Sequence, residues 1–330
     1  MRTRPDKALI ERAVPLDPPV APAWAAELMS EDCVEEPVLV SAGAVVRVRE
    51  DAEFTLLRAT VPGAKGLPDA EFRVCVERTY LLLRELLGER DRKPLRFWNY
   101  VPGITARAAD GLSRYELFNL GRYLAYTRWY ETVRFGECLA AASAVDHRGE
   151  DLVVHVLAGS HPGSVLENPR QTPAWRYSRR YGPLPPCFSR ATVLRHASAK
   201  RGEWAIVAGT GSIVGEDARH AGNCDAQLEE TLLNLAYLAA ALDGGPLPSA
   251  RSFDSDRRAH ALARYRCLRA YVVREADAGR VVAGLRRAFP GIDEVEVCGA
   301  DLCRPELLVE VEGILCAAAG SGRGAARPPK

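Results

Sequence analysis

Apolar residues recur at spacings of three and four in four segments of the chain, which predicts four amphipathic helices. Shorter runs between these segments are rich in Val, Ile and Leu, which predicts strands. The helices are predicted over 71–88, 113–133, 225–242 and 276–289, and the strands over 95–101, 151–158, 203–214, 268–273 and 307–311. The pattern indicates an α+β protein.

The order helix–strand–helix–strand occurs twice, which favours duplication of one α+β unit. Chance succession is the alternative, since any α+β chain can produce such an order. The closing strands overlay if Val153 is matched to Leu308, and His155 then stands where the second strand has Glu310. We predict an extended N-terminal arm over 1–35, a first unit over 36–190, a second unit over 191–316 and a disordered tail over 317–330.

Composition narrows the class of protein. Among 330 residues, 44 Lys and Arg stand against 43 Asp and Glu, so charge gives no reason to expect nucleic acid or an anionic membrane as partner. The N-terminal stretch is interrupted by charges and prolines, which argues against a secretory signal. No apolar run approaches the roughly 20 residues of a membrane helix. We expect a cytoplasmic protein.

Familiar cofactor and metal signatures do not occur in the sequence. There is no Walker A, GxSxG or HExxH motif and no GxGxxG after a strand, and the six histidines have no metal-ligand spacing. The nine cysteines are an odd number without a CxxC pair, which argues against a disulfide framework or a zinc site. We therefore expect chemistry without a metal or another cofactor.

The closing strand of the second unit carries a candidate acid. Side chains alternate along a strand, so Leu308, Glu310 and Glu312 share one face. A carboxyl group among apolar neighbours has a raised pKa and can act as a general acid near neutral pH. The alternative is a surface strand with its polar face in water, which is common for such alternation.

The stretch 167–192 is basic, aromatic and stiffened by five prolines, and it is a candidate wall of a binding site. Its candidates for binding carboxylates are Arg176, Arg179, Arg180 and Arg190. An ordinary solvated loop is the alternative. The glycine-rich turn 208–212 either holds an anion or only reverses the chain.

Several sequence blocks together resemble the chorismatase family, also called chorismate lyase/3-hydroxybenzoate synthases. The blocks run in order over about residues 90–315, and YGPLPPCFSRAT followed by LLVEVEG is a specific pair. They are WNYVPGI (98–104), Tyr115 with LGR (120–122), ENP (167–169), YGPLPPCFSRAT (181–192), AGTGSIVG (208–215), His220 with Gln227 and Asn234, LRAYV (268–272) and LLVEVEG (307–313). The second half alone is also similar to YjgF-like reactive-intermediate deaminases.

The resemblance implies two tandem YjgF-like (chorismate-mutase-like) domains, with mixed sheets and helices packed on one face. Only the second domain keeps the active-site glutamate, Glu310. The implied substrate is chorismate, with protonated Glu310 donating to the methylene carbon of the enolpyruvyl group while arginines and tyrosines hold two carboxylates. A homotrimer is an expectation from YjgF-like domains.

The resemblance also assigns the choice of ring product. It links 3-hydroxybenzoate to Gly209, Cys303 and Gln171. We expect Gly209 to leave space for a shifted intermediate and Cys303 to manage a proton, with neither needed for pyruvate release. A buried small hydrophobe is the alternative for Cys303. The other substrate-binding residues implied are Thr210, Tyr181, Arg190, Tyr115, Arg122 and Tyr271.

One position departs from the family pattern. A basic residue often follows two after the tyrosine of the LRAYV strand, but Val273 stands there and Arg274 follows. An offset of one residue turns a strand side chain to the other face. Either Arg274 turns back through a bulge or another arginine takes this role.

The function predicted from the sequence is conversion of chorismate to 3-hydroxybenzoate and pyruvate. Within the family, the alternatives are a hydrolytic enzyme that gives a dihydroxycyclohexadiene carboxylate and an enzyme that also gives 4-hydroxybenzoate. From another class, the alternative is a YjgF-like imine deaminase or small-molecule binding protein. The length of the chain, its first unit and the YGPLPPCFSRAT block argue against this last alternative.

Overall fold

The computed structural model describes residues 14–16, 19–30, 32–35, 39–41, 43–130, 132–195, 203–244, 253–292 and 294–318. The helices are α1 (Ala23–Glu27), α2 (Asp69–Glu89), α3 (Arg114–Trp129), α4 (Cys224–Leu242), α5 (Ser255–Leu262) and α6 (Ala278–Ala288). The strands of the first half are β1 (Val14–Pro15), β2 (Val34–Glu35), β3 (Leu39–Ser41), β4 (Ala44–Glu50), β5 (Phe54–Val61), β6 (Lys93–Tyr100), β7 (Ala141–Val145) and β8 (Leu152–Gly159). Those that follow are β9 (Ser164–Leu166), β10 (Ala191–Arg195), β11 (Glu203–Gly211), β12 (Ile213–Val214), β13 (Asp217–Ala218), β14 (Tyr265–Val272), β15 (Glu294–Gly299) and β16 (Val309–Cys316).

Two mixed sheets share one strand order. The first contains β4-β5-β8-β6-β7 and the second β10-β11-β16-β14-β15. In each sheet the last two of these strands are parallel and the other neighbours are antiparallel. Each unit also places a long helix between its second and third strands in chain order, α2 in the first and α4 in the second. The predicted α+β fold of two similar units with mixed sheets is confirmed.

The two sheets pack face to face, and the long helices cover their outer faces. In β16, Val309 and Val311 belong to the core under the helices of the second unit. Ile314, on the opposite face, belongs to a core shared with Trp98 and Tyr100 of the first unit. The polar face of β16 therefore points into the layer between the sheets, and the surface-strand alternative is wrong for this strand.

The overlay of the closing strands differs by two residues from the one predicted. Val153 pairs with Tyr100 of β6 and Glu310 pairs with Tyr271 of β14, and both tyrosines belong to the core between the sheets, so these pairs correspond. His155 then corresponds to Glu312, and Val153 corresponds to Glu310. A slip of two residues keeps every side chain on the same face, so the hydrophobic pattern alone does not reveal it.

The N-terminal segment is only partly extended. It contributes β1, which pairs with β15, and the short helix α1. Trp24 of α1 is buried between the sheets, 5.5 Å from Trp98 between ring centroids. The predicted arm therefore packs against both units. Of the predicted disordered tail, residues 319–330 lie outside the described residues.

The observed strand pairing differs from the predicted boundary between the units. The strand β9 lies before residue 190, in the segment assigned to the first unit, yet it pairs with β10 in the second sheet. The chain thus changes sheet after β8. The sequence prediction lacks strands β1 to β5, β7, β9, β10, β13 and β15 and helices α1 and α5. None of the helices in the described part of the chain is both long and apolar enough to cross a membrane.

Candidate active site

A break in one strand pairing opens the candidate site. The pairing of β11 with β16 shifts between Val207 and Thr210, which is the geometry of a β-bulge. Gly209 lies in this bulge beside Glu310. A Cβ atom on Gly209 would overlap the Glu310 carboxyl group and lie 3.1 Å from Cβ of Ser143. The space that Gly209 leaves is therefore occupied by the side chain of Glu310.

The Glu310 carboxyl is buried and faces a cavity. Its residue is only 6% exposed, and no hydrogen bond joins its carboxyl to another described residue. Burial raises the pKa of Glu310 to about 8, and the charge of Glu312 adds to this rise. The guanidinium groups of Arg96, Arg190 and Arg304 act in the opposite direction on this pKa. At neutral pH Glu310 is consequently a protonated acid.

Glu312 has a different environment although it shares a face with Glu310. It is fully buried, and its Oε2 forms an ion pair of 2.5 Å with the Arg96 guanidinium. Its Oε1 accepts hydrogen bonds from Trp98 Nε1 at 2.9 Å and from the Tyr271 hydroxyl at 3.0 Å. Glu312 is therefore a structural carboxylate with its oxygens occupied, whereas Glu310 is free to meet a ligand.

The cavity in front of Glu310, called the Glu310 cavity below, has a volume of about 540 Å³. This volume lies within the roughly 300–1,000 Å³ typical of small-molecule sites. Six of the predicted site residues line it: Glu310, Cys303, Gly209, Tyr181, Arg190 and Tyr115. Other lining residues include Arg107, Tyr177, Arg180, Phe188, Arg304 and Glu306.

Two buried guanidinium groups face the cavity from different segments. Arg190 donates hydrogen bonds to the Tyr177 hydroxyl at 2.6 Å and to the Thr172 carbonyl at 3.1 Å. Arg304 stacks over the Tyr181 ring at 3.8 Å and donates to the Glu216 carbonyl at 2.7 Å. Guanidinium groups held by neutral partners keep their charge available for an anionic ligand.

The rim is closed by pairs between the basic aromatic stretch and the β12–β13 hairpin. Arg180 forms an ion pair with Asp217, and the Tyr181 hydroxyl donates to the same carboxylate at 3.2 Å. Both the backbone and the hydroxyl of Ser178 donate to the Glu216 carboxylate. Ser178 and Arg180 are nevertheless exposed, so this part of the stretch is a solvated loop held in place by these contacts.

Helix α4 holds the segment that carries Cys303 and Arg304 into β16. The Asn223 side chain caps the helix by accepting from Ala226 N. One turn into the helix, Gln227 donates to the Glu306 carbonyl at 2.8 Å and accepts from Leu308 N at 2.7 Å. These two bonds fix the approach of the chain to Glu310.

The Cys303 thiol lies in the cavity wall beside Tyr115. Burial raises its pKa to about 12, and the charge of Glu310 contributes to the rise. A side-chain hydrogen bond with Tyr115 lowers this pKa in part. The thiol therefore stays protonated, which suits a proton donor and does not suit a thiolate nucleophile.

Four predicted substrate-binding residues do not line the cavity. Thr210 alternates with Gly209 and Gly211, and its hydroxyl donates to the Ala208 carbonyl at 3.0 Å. Gln171 stands behind the wall, where it donates to the Ile213 carbonyl at 3.2 Å. In these two positions the side chains support the wall from outside the ligand space.

Arg122 and Tyr271 also lie away from the Glu310 cavity. Arg122 projects from α3 into the aromatic core of the first unit, near the rings of Tyr80, Phe118 and Tyr126, and donates to the Cys187 carbonyl. Tyr271 donates to Glu312 between the sheets. Arg122 and Tyr271 take these roles through contacts with residues that are distant in the sequence, and a sequence block does not reveal such contacts.

The prediction missed Arg304 and the Arg96–Glu312 pair. Arg304 directly follows Cys303, and Glu312 shares a strand face with Glu310, so both had local signals. Arg274 is exposed and is not in the cavity lining. Arg274 therefore does not turn back into the cavity, and other arginines line it instead: Arg107, Arg180, Arg190 and Arg304. No group of three metal-ligating side chains occurs within the described ranges.

Comparisons with known proteins point in one direction. A family model described as chorismatase FkbO/Hyg5-like, N-terminal, matches residues 33–158. A 3-hydroxybenzoate synthase of Streptomyces hygroscopicus is 29% identical over 309 residues, which cover 93% of this chain and 84% of that protein. A chorismatase of Streptomyces rapamycinicus is 35% identical over 222 residues, which cover 67% of this chain and 63% of that protein. The chain thus spans less than two thirds of this second relative.

Comparison of structures finds the same similarity as comparison of sequences. A crystal structure of a chorismatase at 1.08 Å resolution matches with a TM-score of 0.68 and 25% identity. The match covers 86% of this chain and 80% of that one. At this coverage the similarity extends into both units.

Proposed function

Since the chain belongs to the chorismatase family, we propose that it converts chorismate to 3-hydroxybenzoate and pyruvate in the Glu310 cavity. The observation that carries the proposal is the protonated, buried Glu310 carboxyl facing a cavity with two fixed guanidinium groups. Chorismate brings two carboxylates and an enol ether that reacts with acid. A neutral acid beside two cations is suited to both features.

Glu310 acts as the general acid. It donates its proton to the terminal methylene carbon of the enolpyruvyl group, and the cation that forms weakens the bond between the ring and the ether oxygen. Pyruvate leaves with that oxygen, and a proton released from the ring side returns to the Glu310 carboxylate. The atoms of chorismate equal those of the two products, so no water is consumed.

The cations orient the substrate through its carboxylates. Arg190 and Arg304 are the buried candidates, with Arg180 at the rim and Tyr115 as a hydroxyl donor, while Tyr181, whose hydroxyl donates to Asp217, lines the cavity and stacks against Arg304. Bidentate guanidinium–carboxylate pairs fix orientation as well as charge. Thr210, Gln171, Arg122 and Tyr271 support the wall and the layer between the sheets in this proposal.

Gly209 and Cys303 select the ring product. Gly209 allows the Glu310 carboxyl to sit within the bulge, and the protonated Cys303 thiol donates during the ring chemistry that follows pyruvate release. This assignment favours 3-hydroxybenzoate over the hydrolytic product. We also propose a cytoplasmic location, and the homotrimer stays a prediction that light scattering tests.

The decisive experiment separates release of pyruvate from the identity of the ring product. Chorismate is incubated with the protein, lactate dehydrogenase and NADH, and the ring product is analysed by chromatography. We expect equal amounts of pyruvate and 3-hydroxybenzoate, with no solvent oxygen in the phenol when the reaction runs in oxygen-18 water. A dihydroxycyclohexadiene acid would indicate the hydrolytic enzyme, and absence of pyruvate would leave a binding protein or deaminase.

Protonated Glu310 also predicts how pyruvate release depends on pH. The active form carries the proton, so kcat/KM should fall as the pH rises through about 8, where Glu310 ionises in the free protein. This fall is the alkaline limb of the pH profile. Its position reports the pKa of Glu310 and is used in the test below.

A further inference from the structure

A buried ion pair joins the first unit to the face of β16 that carries Glu310. Arg96 of β6 reaches across the layer between the sheets to Glu312 of β16 at 2.5 Å. It also donates to the Ser143 hydroxyl at 3.0 Å and to the Phe97 carbonyl at 2.9 Å. Both side chains of the pair are fully buried. A pair this deep is anchored by residues of both units.

The hydrogen bonds around Glu312 suit a carboxylate paired with Arg96. Arg96 and Trp98 can only donate, and Tyr271 donates to the oxygen that Trp98 also contacts. A fixed negative charge therefore stands two residues from Glu310 on the same strand face, at roughly 7 Å along the strand. In a dry interior such a charge acts strongly on its neighbour.

Other charged and titratable groups also surround Glu310. They are Arg96 of β6, Arg190 before β10, Tyr271 of β14, Cys303, Arg304 and Glu306 before β16, Tyr115 of α3 and Glu312 of β16 itself. The anion at Glu312 affects Glu310 more strongly than the cation at Arg96 does. The remaining arginines face the cavity, where substrate carboxylates meet them.

We propose that Glu312 and Arg96 are positioning residues that keep the catalytic acid Glu310 loaded with its proton, with Arg96 limiting the effect of the Glu312 charge. The inference rests on the proposed function of Glu310. It gives the first unit, which has Val153 at the position of Glu310, a part in the chemistry of the second. A purely structural pair is the competing explanation, because buried ion pairs often add little to stability.

Three variants separate the two explanations. Glu312→Gln keeps an oxygen for Trp98 and Tyr271 but removes the anion, so the alkaline limb of kcat/KM should move down by about one pH unit. Glu312→Gln combined with Arg96→Met removes both charges, and the limb should move down by less. Arg96→Lys retains the cation and should leave the limb in place.

A matched control is another ion pair at the far end of β16. Arg264 pairs with Asp243, and the Arg264 carbonyl accepts from Cys316 N, six residues along the strand from Glu310. Asp243→Asn removes a pair without changing the charge near Glu310. It should lower the melting temperature and leave the limb unchanged. The same shift in Asp243→Asn and Glu312→Gln would overturn the proposal.

A second readout needs no turnover. In protein labelled with carbon-13 glutamate, the Glu310 carboxyl resonance is identified by its loss in Glu310→Gln, and its titration is followed in each variant. We expect the same order of shifts as for the limb.

If wild type releases no pyruvate, the proposed function fails while this titration still tests the pair. If Glu312→Gln does not fold, the double variant, which leaves no unpaired buried ion, carries the test. An unshifted Glu310 titration in a folded Glu312→Gln or double variant would overturn the inference.

Discussion

The two units have the same strand order, but their closing strands differ in how they pair with the neighbouring strand. In the first unit, β5 and β8 pair without interruption, and Val153 and His155 fill the layer between the sheets. In the second, the bulge between β11 and β16 carries Gly209, and the corresponding positions are Glu310 and Glu312. The candidate site thus lies at a local break in one ladder, beside a residue without a Cβ atom.

The titratable residues His155 of β8 and Glu312 of β16, which stand at corresponding positions, also differ in their surroundings. His155 lies opposite Arg58 in the ladder, and burial together with that charge lowers its pKa to about 3, so it stays neutral. Glu312 has Arg96 beside it and stays charged. The first unit therefore has the neutral side chain of His155 at the position where the second unit has Glu312, two residues from Glu310.

The largest effect is expected from replacing the acid that only the second unit has. Glu310→Gln retains size and polarity but carries no transferable proton, so pyruvate release should fall at least ~10²-fold. The coupled lactate dehydrogenase assay measures this. His155→Gln, a change of a buried titratable residue in the matching strand, should leave the rate nearly unchanged. Comparable rates for Glu310→Gln and wild type would remove the acid from the mechanism.

The same variant should be more stable than wild type. Glu310 is protonated in the folded protein between about pH 4.5 and 8, where the unfolded chain ionises it, so stability is lost as the pH rises through this window. At pH 7, Glu310→Gln should raise the free energy of unfolding by about 3 kcal/mol. Urea unfolding at pH 4 and 7 checks the sign, since the gain should vanish at the lower pH.

A smaller effect is expected from filling the bulge. Gly209→Ala places a methyl group where the Glu310 carboxyl lies, so the acid must rotate away. We expect pyruvate release to fall roughly 10-fold or more, because a misplaced acid loses part of the usual general-acid contribution. This differs from the expectation that Gly209 affects only the ring product.

The control for this change is Gly211→Ala in the same strand. Gly211 also lines the cavity, but a Cβ atom there would meet Leu307 and Val309 at an ordinary distance of 3.5 Å. Its rate should stay near wild type. Equal losses in both variants would show that cavity volume, and not the position of Glu310, matters.

The smallest effect on rate is expected from Cys303→Ala. Pyruvate release belongs to Glu310, so it should be nearly retained, while the ring product shifts toward the dihydroxycyclohexadiene acid. Cys303→Ser keeps a hydroxyl donor and should lie between the two. Chromatography at matched pyruvate yield gives the product ratio. Cys187→Ala, a buried thiol outside the cavity, is the control, and an unchanged ratio in Cys303→Ala would remove the thiol from product choice.

Local patterns in the sequence determined most of the regular structure and the acid. Periodicity located α2, α3, α4 and α6 and the strands β6, β8, β11, β14 and β16, because buried faces repeat at 3.6 and at 2 residues. Alternation placed Glu310 and Glu312 on one face. The family blocks indicated Gly209 and Cys303, which the structure brings to the cavity.

Only the tertiary structure decided how these residues divide their roles. Contacts such as Arg96 with Glu312 join positions 216 residues apart, and no local pattern encodes them. The two-residue slip between β8 and β16 preserves every face, so only pairing reveals that His155 matches Glu312. The same packing turned Arg122 and Tyr271 away from the cavity and brought Arg304 into it, since side-chain direction depends on what each element packs against.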